Sequence, residues 1–319
     1  MDEFELIKNY FQKISNKNLG AKKLNDDVFF DKNKKLVVSV DTYNEGVHFP
    51  NFKYPDLVIK KIIRSSISDL IAKGVKPEYY FISGSGNKKN FTKRNLKLIS
   101  KSLNQEQKKY SLKLSGGDTT NSNKFSFSIT TIGFSKKIVE RNKAILNDDI
   151  YVTGNIGDSF VGLKFIKNNI NINFKLKNYF INQFYCPNLP YKIYKQIHKF
   201  ANTSIDISDG LFSDMIKLIN NQHLSFEINV NDIPVSKNLE VYLKKYKKVR
   251  TQYLFNGDDY QVLFTASQKK RSLIKSIAKK LNQKITIIGK INNGYKKNLI
   301  KLDNKPQNLT NFKGYSHRF

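Results

Sequence analysis

A single cysteine, Cys186, leaves this 319-residue chain without an internal disulfide or a thiolate metal cage, and suits a reducing compartment. Long apolar runs are missing too, since none approaches the roughly 20 residues needed to cross a bilayer. The start, Met1-Asp2-Glu3-Phe4-Glu5, is acidic where a secretory signal is basic. The cytoplasm is therefore the expected compartment, with no membrane partner. Acidic residues are scarce, 26 Asp and Glu against 56 Lys and Arg, for a formal charge of +30. Lysine pairs such as Lys22-Lys23, Lys60-Lys61, Lys108-Lys109 and Lys279-Lys280 are spread along the whole chain rather than gathered in one arm. That distribution describes solvated surface, so no specific nucleic-acid partner is expected, and the excess charge at most quickens encounter with phosphate ligands.

The common nucleotide motifs are also absent. No Gly-x-x-x-x-Gly-Lys-Ser/Thr occurs, and Gly84-Ser85-Gly86-Asn87-Lys88 has the wrong spacing for a P-loop. Gly154-Asn155-Ile156-Gly157 lacks the first glycine of a dinucleotide fingerprint and reads as a turn. No Gly-x-Ser-x-Gly is available for a serine hydrolase.

What is present is enough apolar material, 39% of the chain with 23 Phe and 17 Tyr, to fill the cores of two domains. Phe4, Ile7, Phe11 and Ile14 recur at helical spacing. A strand over Leu36–Val40 delivers Asp41, and a buried helix runs from about Pro55 to Ala72, stopped by Gly74. A strand at Tyr79–Ile82, a helix at Thr92–Tyr110 and the alternation of Phe125, Phe127, Ile129 and Thr131 complete the first half. Ser135–Asn147 is polar and basic and marks a junction, giving domains at 1–137 and 138–319. Strands follow at Ile150–Thr153, Ser204–Ile207, Phe226–Val230, Gln261–Thr265 and Ile285–Ile288, with helices after Asp158 and over Leu189–Asn202, Leu211–Ile219 and Gln268–Leu281. Mixed strands and helices without strict alternation predict an α/β chain of α+β character.

Chemistry is concentrated in Ser115-Gly116-Gly117-Asp118-Thr119-Thr120, where a glycine pair beside a carboxylate lets backbone N–H groups approach a phosphate and an aspartate hold magnesium on it. Asp27, Asp41, Asp69, Asp206 and Asp209 recur at what read as strand ends and helix starts. Singly, each would be an N-cap or turn residue. Together, with only one Cys and four His in the chain, they suit the oxygen-ligand chemistry of magnesium rather than that of zinc or copper.

These motifs resemble the thiamine-monophosphate kinase family, within the superfamily that includes aminoimidazole ribonucleotide synthetase, selenophosphate synthetase and the hydrogenase-maturation dehydratase. The resemblance rests on Asp26-Asp27, Ser39 to Phe49, Ser68 to Pro77, Gly116 to Thr120, Asp149 to Gly154, Asp206 to Leu211, Gly257 to Tyr260 and Phe312 to Tyr315. Glu45-Gly46-Val47-His48-Phe49 and that tail point to the thiamine enzymes within it. It implies an aminoimidazole ribonucleotide synthetase-like fold, with an N-terminal ATP- and magnesium-binding half that dimerises and a C-terminal half that completes the site. It implies direct transfer of the γ-phosphoryl group of ATP to thiamine monophosphate.

Carried over by motif, Asp27, Ser39, Val40, Asp41, Asp69, Asp118, Asp206 and Asp209 would hold magnesium, with Asp118, Asp41 and Asp206 closest to the chemistry. ATP would meet Tyr110, Gly117, Asp118, Arg141 and Ser208. His48, Asp258 and Phe312 would contact the thiamine moiety. The chain departs from the family at Asn25 for Gly, Val40 for Thr, Asp258 for Glu and Phe312 for Trp. The alternatives are another ATP-dependent enzyme of the superfamily and a basic nucleic-acid-binding protein. The selenophosphate type lacks support because no N-terminal Cys exists, and the dehydratase type because no C-terminal Cys does.

Overall fold

The computed structural model describes residues 1–168, 173–308 and 314–315. Its first half builds a sheet from β1 (Phe29–Asp31), β2 (Leu36–Asn44), β3 (Pro77–Gly86), β4 (Lys113–Asn121) and β5 (Ser126–Phe134), in the order β1-β2-β5-β3-β4. Only β3 and β4 run parallel. The second half builds another from β6 (Asp149–Thr153), β7 (Thr203–Asp206), β8 (Leu224–Asn229), β9 (Val262–Ala266), β10 (Ile285–Asn293), β11 (Leu299–Leu302) and β12 (Lys305–Pro306), in the order β12-β11-β8-β10-β6-β9-β7. Helices are α1 (Glu3–Leu6), α2 (Pro55–Ala72), α3 (Lys93–Tyr110), α4 (Asp158–Asn168), α5 (Phe174–Tyr185), α6 (Leu211–Leu218), α7 (Lys237–Lys245), α8 (Thr251–Leu254) and α9 (Arg271–Leu281).

The helix α2 decides how the halves sit. Pro55 opens it at a position where the missing N–H costs nothing, and Gly74, at φ 77°, lets the chain turn away after it. Its apolar residues lie all round the cylinder, so it cannot rest on a surface. It packs against β2 and β5 on one side and against β7 and α5 on the other. Ile62 and Ile67 therefore share one core with Tyr80, Phe127 and Ile129 of the first sheet and with Tyr185, Val262 and Phe264 of the second half. The opposite face of the second sheet, with Val152, Leu263 and Ile288, is closed by Phe165 of α4 and Met215 of α6.

Polar ties fix the helix in place. Arg64 donates two hydrogen bonds to Glu106 of α3, at 2.8 and 2.9 Å, and a third to the Pro187 carbonyl at 3.2 Å. At its C-terminal end Ser204 Oγ donates to the Ala72 carbonyl at 2.6 Å, and Lys73 Nζ donates to the Ser204 carbonyl at 2.7 Å.

Several expectations are corrected. The Ser115–Thr120 run is the middle of β4 rather than a loop, because the chain adds a parallel edge strand to β3 there. Leu189–Asn202 holds two short 3₁₀ turns, Tyr191–Lys195 and Ile197–Lys199, instead of a helix. The N-terminal segment continues α1 into a π-helical turn over Ile7–Phe11 and leaves Phe4, Phe11 and Ile14 exposed.

Because Ile62 of α2 lies in the core shared by both halves, Ile62→Ala should cost about 2–5 kcal/mol, the usual cost of emptying a fully buried site. Urea unfolding followed by far-UV circular dichroism should show one transition at lower midpoint. Two separated transitions would contradict the shared core.

Candidate active site

The site forms where the last turn of α2 meets β2 and β7. Strand alternation turns Ser39, Asp41 and Tyr43 toward α2 and leaves Val40, 66% exposed, on the other face. Ser39 Oγ donates to Asp69 Oδ2 at 2.5 Å, and Ser68 Oγ donates to Asp206 Oδ2 at 2.7 Å. Asp206 is the last residue of β7 and is buried. Asp41, Asp69 and Asp206 thus come from three elements, and Asp69 feels the charge of both others while Asp206 feels that of Asp41. Burial pushes the Asp41 carboxyl up to about 7, with a Tyr43 hydrogen bond opposing and the Asp27 charge assisting. Burial likewise lifts Asp69 well above the carboxylate range, reinforced by Asp41, Asp206 and Asp27. Asp206 is raised in the same way by burial and then by Asp27, against its Ser68 hydrogen bond. Among the described residues no ammonium or guanidinium pairs with any of these three.

Two neighbouring aspartates do have cations. Lys73 Nζ, fully buried, lies 2.7 Å from Asp26 Oδ1 and 2.6 Å from Asp27 Oδ2. The Asp27 contact is a close ammonium–carboxylate pair on Oδ2, leaving Oδ1 as the less engaged oxygen. Arg141 adds an Nη1 3.7 Å from Asp27 Oδ1, and its backbone N–H and Nε bind Asp26 Oδ2 and the Asn25 carbonyl, both at 3.1 Å. Burial would raise Asp27, but Lys73 and Arg141 outweigh it and hold the carboxyl below its usual range. Asp209 is bonded by the Lys217 ammonium, which also reaches Asp214 Oδ1 at 2.9 Å.

The remaining motif residues are dispersed. Asp118 lies on edge strand β4, all of whose residues are exposed, and binds its neighbouring Thr119 N–H at 2.8 Å. Register places Asp41 opposite Ile129, Ile129 opposite Ile82 and Ile82 opposite Gly117. Asp118 follows on the sheet face away from α2, three strands or roughly 14 Å from Asp41. At Gly117 an added Cβ would sit 1.8 Å from the Ile82 carbonyl oxygen, so only glycine fits. Tyr110 is buried, its ring facing the Arg64 guanidinium at 5.8 Å and Tyr191 at 5.2 Å. Ser208 sits between Asp206 and Asp209, its carbonyl accepting from the Asp258 N–H at 2.9 Å. His48 accepts from the Asn44 N–H at 3.0 Å and meets the edge of Tyr43. Asp258 Oδ1 binds Lys61 Nζ at 2.6 Å and accepts from Tyr260 at 3.0 Å. Phe312 lies outside the described residues, but Gly314-Tyr315 returns to the site, the Tyr315 N–H binding the Asp209 carbonyl at 3.0 Å.

Lys61, Lys73 and Lys217 escape sequence reading because lysine is so abundant here. The available signal is position, since Lys61 and Lys73 lie within or at the end of a helix whose other faces are apolar. In donor chemistry Asp27, Asp41, Asp69 and Asp206 suit magnesium, since all offer oxygen and three of the carboxylates have no protein cation. Among the described residues no three acidic, His or Cys side chains stand grouped so that they could hold a metal ion in this structure.

Residues 25–135 match the family model for AIR synthase related protein, N-terminal domain. The thiamine-monophosphate kinase of Buchnera aphidicola subsp. Acyrthosiphon pisum (strain APS) is 34% identical over 327 residues, 99% of this chain and 98% of that one. Its counterpart in Aquifex aeolicus (strain VF5) is 32% identical over 268 residues, 83% of this chain and 86% of the relative. The solved structure of AaThiL complexed with AMPPCP and TMP matches with a TM-score of 0.85 at 28% identity, over 99% of this chain and 97% of that one. The two-sheet architecture is thus the aminoimidazole ribonucleotide synthetase-like α/β fold. No described helix is long and apolar enough to cross a membrane.

Raised carboxyl pKa values set the sign of the pH response. A folded state that binds more protons than the unfolded one loses stability as pH rises from the unfolded carboxyl range, about 4, to the Asp41 value of about 7. In EDTA the melting temperature should therefore fall between about pH 4 and about pH 7, and Asp41→Asn should shrink that fall. Differential scanning calorimetry checks it, and a melting temperature that rises with pH in the wild type would be the contrary result.

Proposed function

Since this chain belongs to the thiamine-monophosphate kinase family, we propose that it uses ATP to phosphorylate thiamine monophosphate, giving thiamine diphosphate and ADP. The observation that carries this reading is that Asp41 and Asp206 stand near enough to raise the Asp69 carboxyl, without a protein cation, in a chain that matches AaThiL bound to AMPPCP and TMP over 99% of its length. Asp27, Asp41, Asp69 and Asp206 would hold magnesium, with Ser39 and the Val40 carbonyl beside them. Bound magnesium supplies neutralisation of two polyanions and alignment for in-line transfer. The chain's own groups do the rest. Ser39 and Ser68 fix the Asp69 and Asp206 carboxylates by hydrogen bonds. The backbone at Gly117, together with Arg141 and Ser208, would receive nucleotide phosphate. His48 and Asp258, with Phe312 of the tail, would orient the acceptor, whose phosphate is already mostly ionised near neutral pH and needs little general-base help.

The reading also assigns a second copy of the chain to the uncovered face of the first sheet. Val40, Phe81 and Phe134 are 66%, 38% and 48% exposed there, beside an open edge strand. Asp118 stands on that face at the open edge of the sheet, three strands from its own Asp41, so in a homodimer it would lie at the subunit boundary, and we assign it to a site completed by the partner. The domain division at 137/138 fits this arrangement, with dimerisation confined to the first half.

Two experiments test the proposal. Chromatography of thiamine esters after incubation with ATP, magnesium and thiamine monophosphate should show thiamine diphosphate equal to ADP. Inert thiamine monophosphate, or AMP release with free thiamine, would defeat it. Asp41→Asn and Asp118→Asn should each lower kcat at least ~100-fold, yet unfolding and refolding them together should recover about a quarter of wild-type activity, because half the dimers then hold one intact site of two. No recovery would place both aspartates in one subunit's site.

A further inference from the structure

Asp209 differs in its surroundings from the three unpaired carboxylates. Asp214 Oδ2 accepts the backbone N–H groups of both Asp209 and Gly210 at 3.0 Å, which pins the turn before α6. One helical turn on, Lys217 reaches back, and its ammonium has three protons to place. One goes to Asp209 Oδ2 and one to Asp214 Oδ1 at 2.9 Å, and on the remaining side stands the ring of Phe4, 5.2 Å away. Lys217 is itself largely buried, 12% exposed. Lys73 is a different case, because it is shared among Asp26, Asp27 and the Ser204 carbonyl, and the second Asp27 oxygen, Oδ1, has only the more distant Arg141 Nη1 at 3.7 Å.

From this geometry we infer that Lys217 is a built-in cation at Asp209, seated where the sequence pattern would put a further magnesium ion, so that this chain takes divalent ions at Asp41, Asp69, Asp206 and Asp27 but not at Asp209. Asp209 then acts as a positioning residue, and the inference rests on reading the other aspartates as the magnesium site. A divalent ion at Asp209 would have to expel an ammonium bonded to two carboxylates, and like charges so close repel strongly. The ammonium costs no binding from solution, so one positive charge of the site is present at any magnesium concentration.

Manganese provides the readout. Equilibrium dialysis with Mn²⁺ at saturating ADP should count about one ion more per chain in Lys217→Met than in the wild type, and Lys217→Arg, which keeps the charge, should match the wild type. Equal counts in wild type and Lys217→Met overturn the inference. Anomalous diffraction from wild-type crystals soaked in Mn²⁺ gives the answer without a variant: no peak within ligand distance of Asp209 supports it, and a peak there with Lys217 displaced overturns it. Turnover of thiamine monophosphate is measured separately, and its absence would defeat the kinase reading whatever the count at Asp209.

Discussion

Everything in this molecule hangs on placing one apolar helix between two sheets while giving it polar work at one end. The cylinder of α2 is buried nearly all round, yet it carries Lys61, Arg64, Ser68, Asp69 and, just past its end, Lys73. Each polar group survives burial because a partner from another element meets it: Asp258, Glu106, Asp206, Ser39 and the Asp26-Asp27 pair respectively. Unpaired, such groups would cost several kcal/mol apiece. The same contacts that satisfy the helix therefore assemble the cleft.

Charge is distributed with the same economy. The surface is flooded with lysine, but near the aspartates only a few cations enter, and each is fixed. Lys73 and Arg141 hold Asp27 ionised, and Lys217 is hydrogen-bonded to Asp209. Asp41, Asp69 and Asp206 are left raised by burial and by neighbouring carboxylates, which is the condition of a site awaiting positive charge from outside.

Much of this was legible in the sequence. The bounds of α2 follow from Pro55, the apolar positions and Gly74, and the Asp41, Asp69 and Asp206 cluster follows from the motifs around them. Their settings were less so. Asp41 lies inside β2 and Asp69 inside α2, not at element ends, because polar residues on a buried face break no local rule when the partner is distant in sequence. The Gly116-Gly117 pair reads as a loop, and only pairing with β3 makes it a strand. Phe174–Tyr185 escaped notice although it is a helix, since its apolar residues show no contrast against an aromatic-rich background. No spacing in one chain could show that Asp118 faces away from Asp41, because side-chain direction in a sheet depends on register.

The shared core around α2 also limits how the protein can move. Its side chains are interleaved with both sheets, so swinging one half away from the other would uncover Ile62, Ile67, Val262 and Phe264 together. Such a rotation would be as costly as partial unfolding. The two halves thus form a rigid frame rather than jaws on a hinge, and whatever reaches the aspartates must do so without their swinging apart.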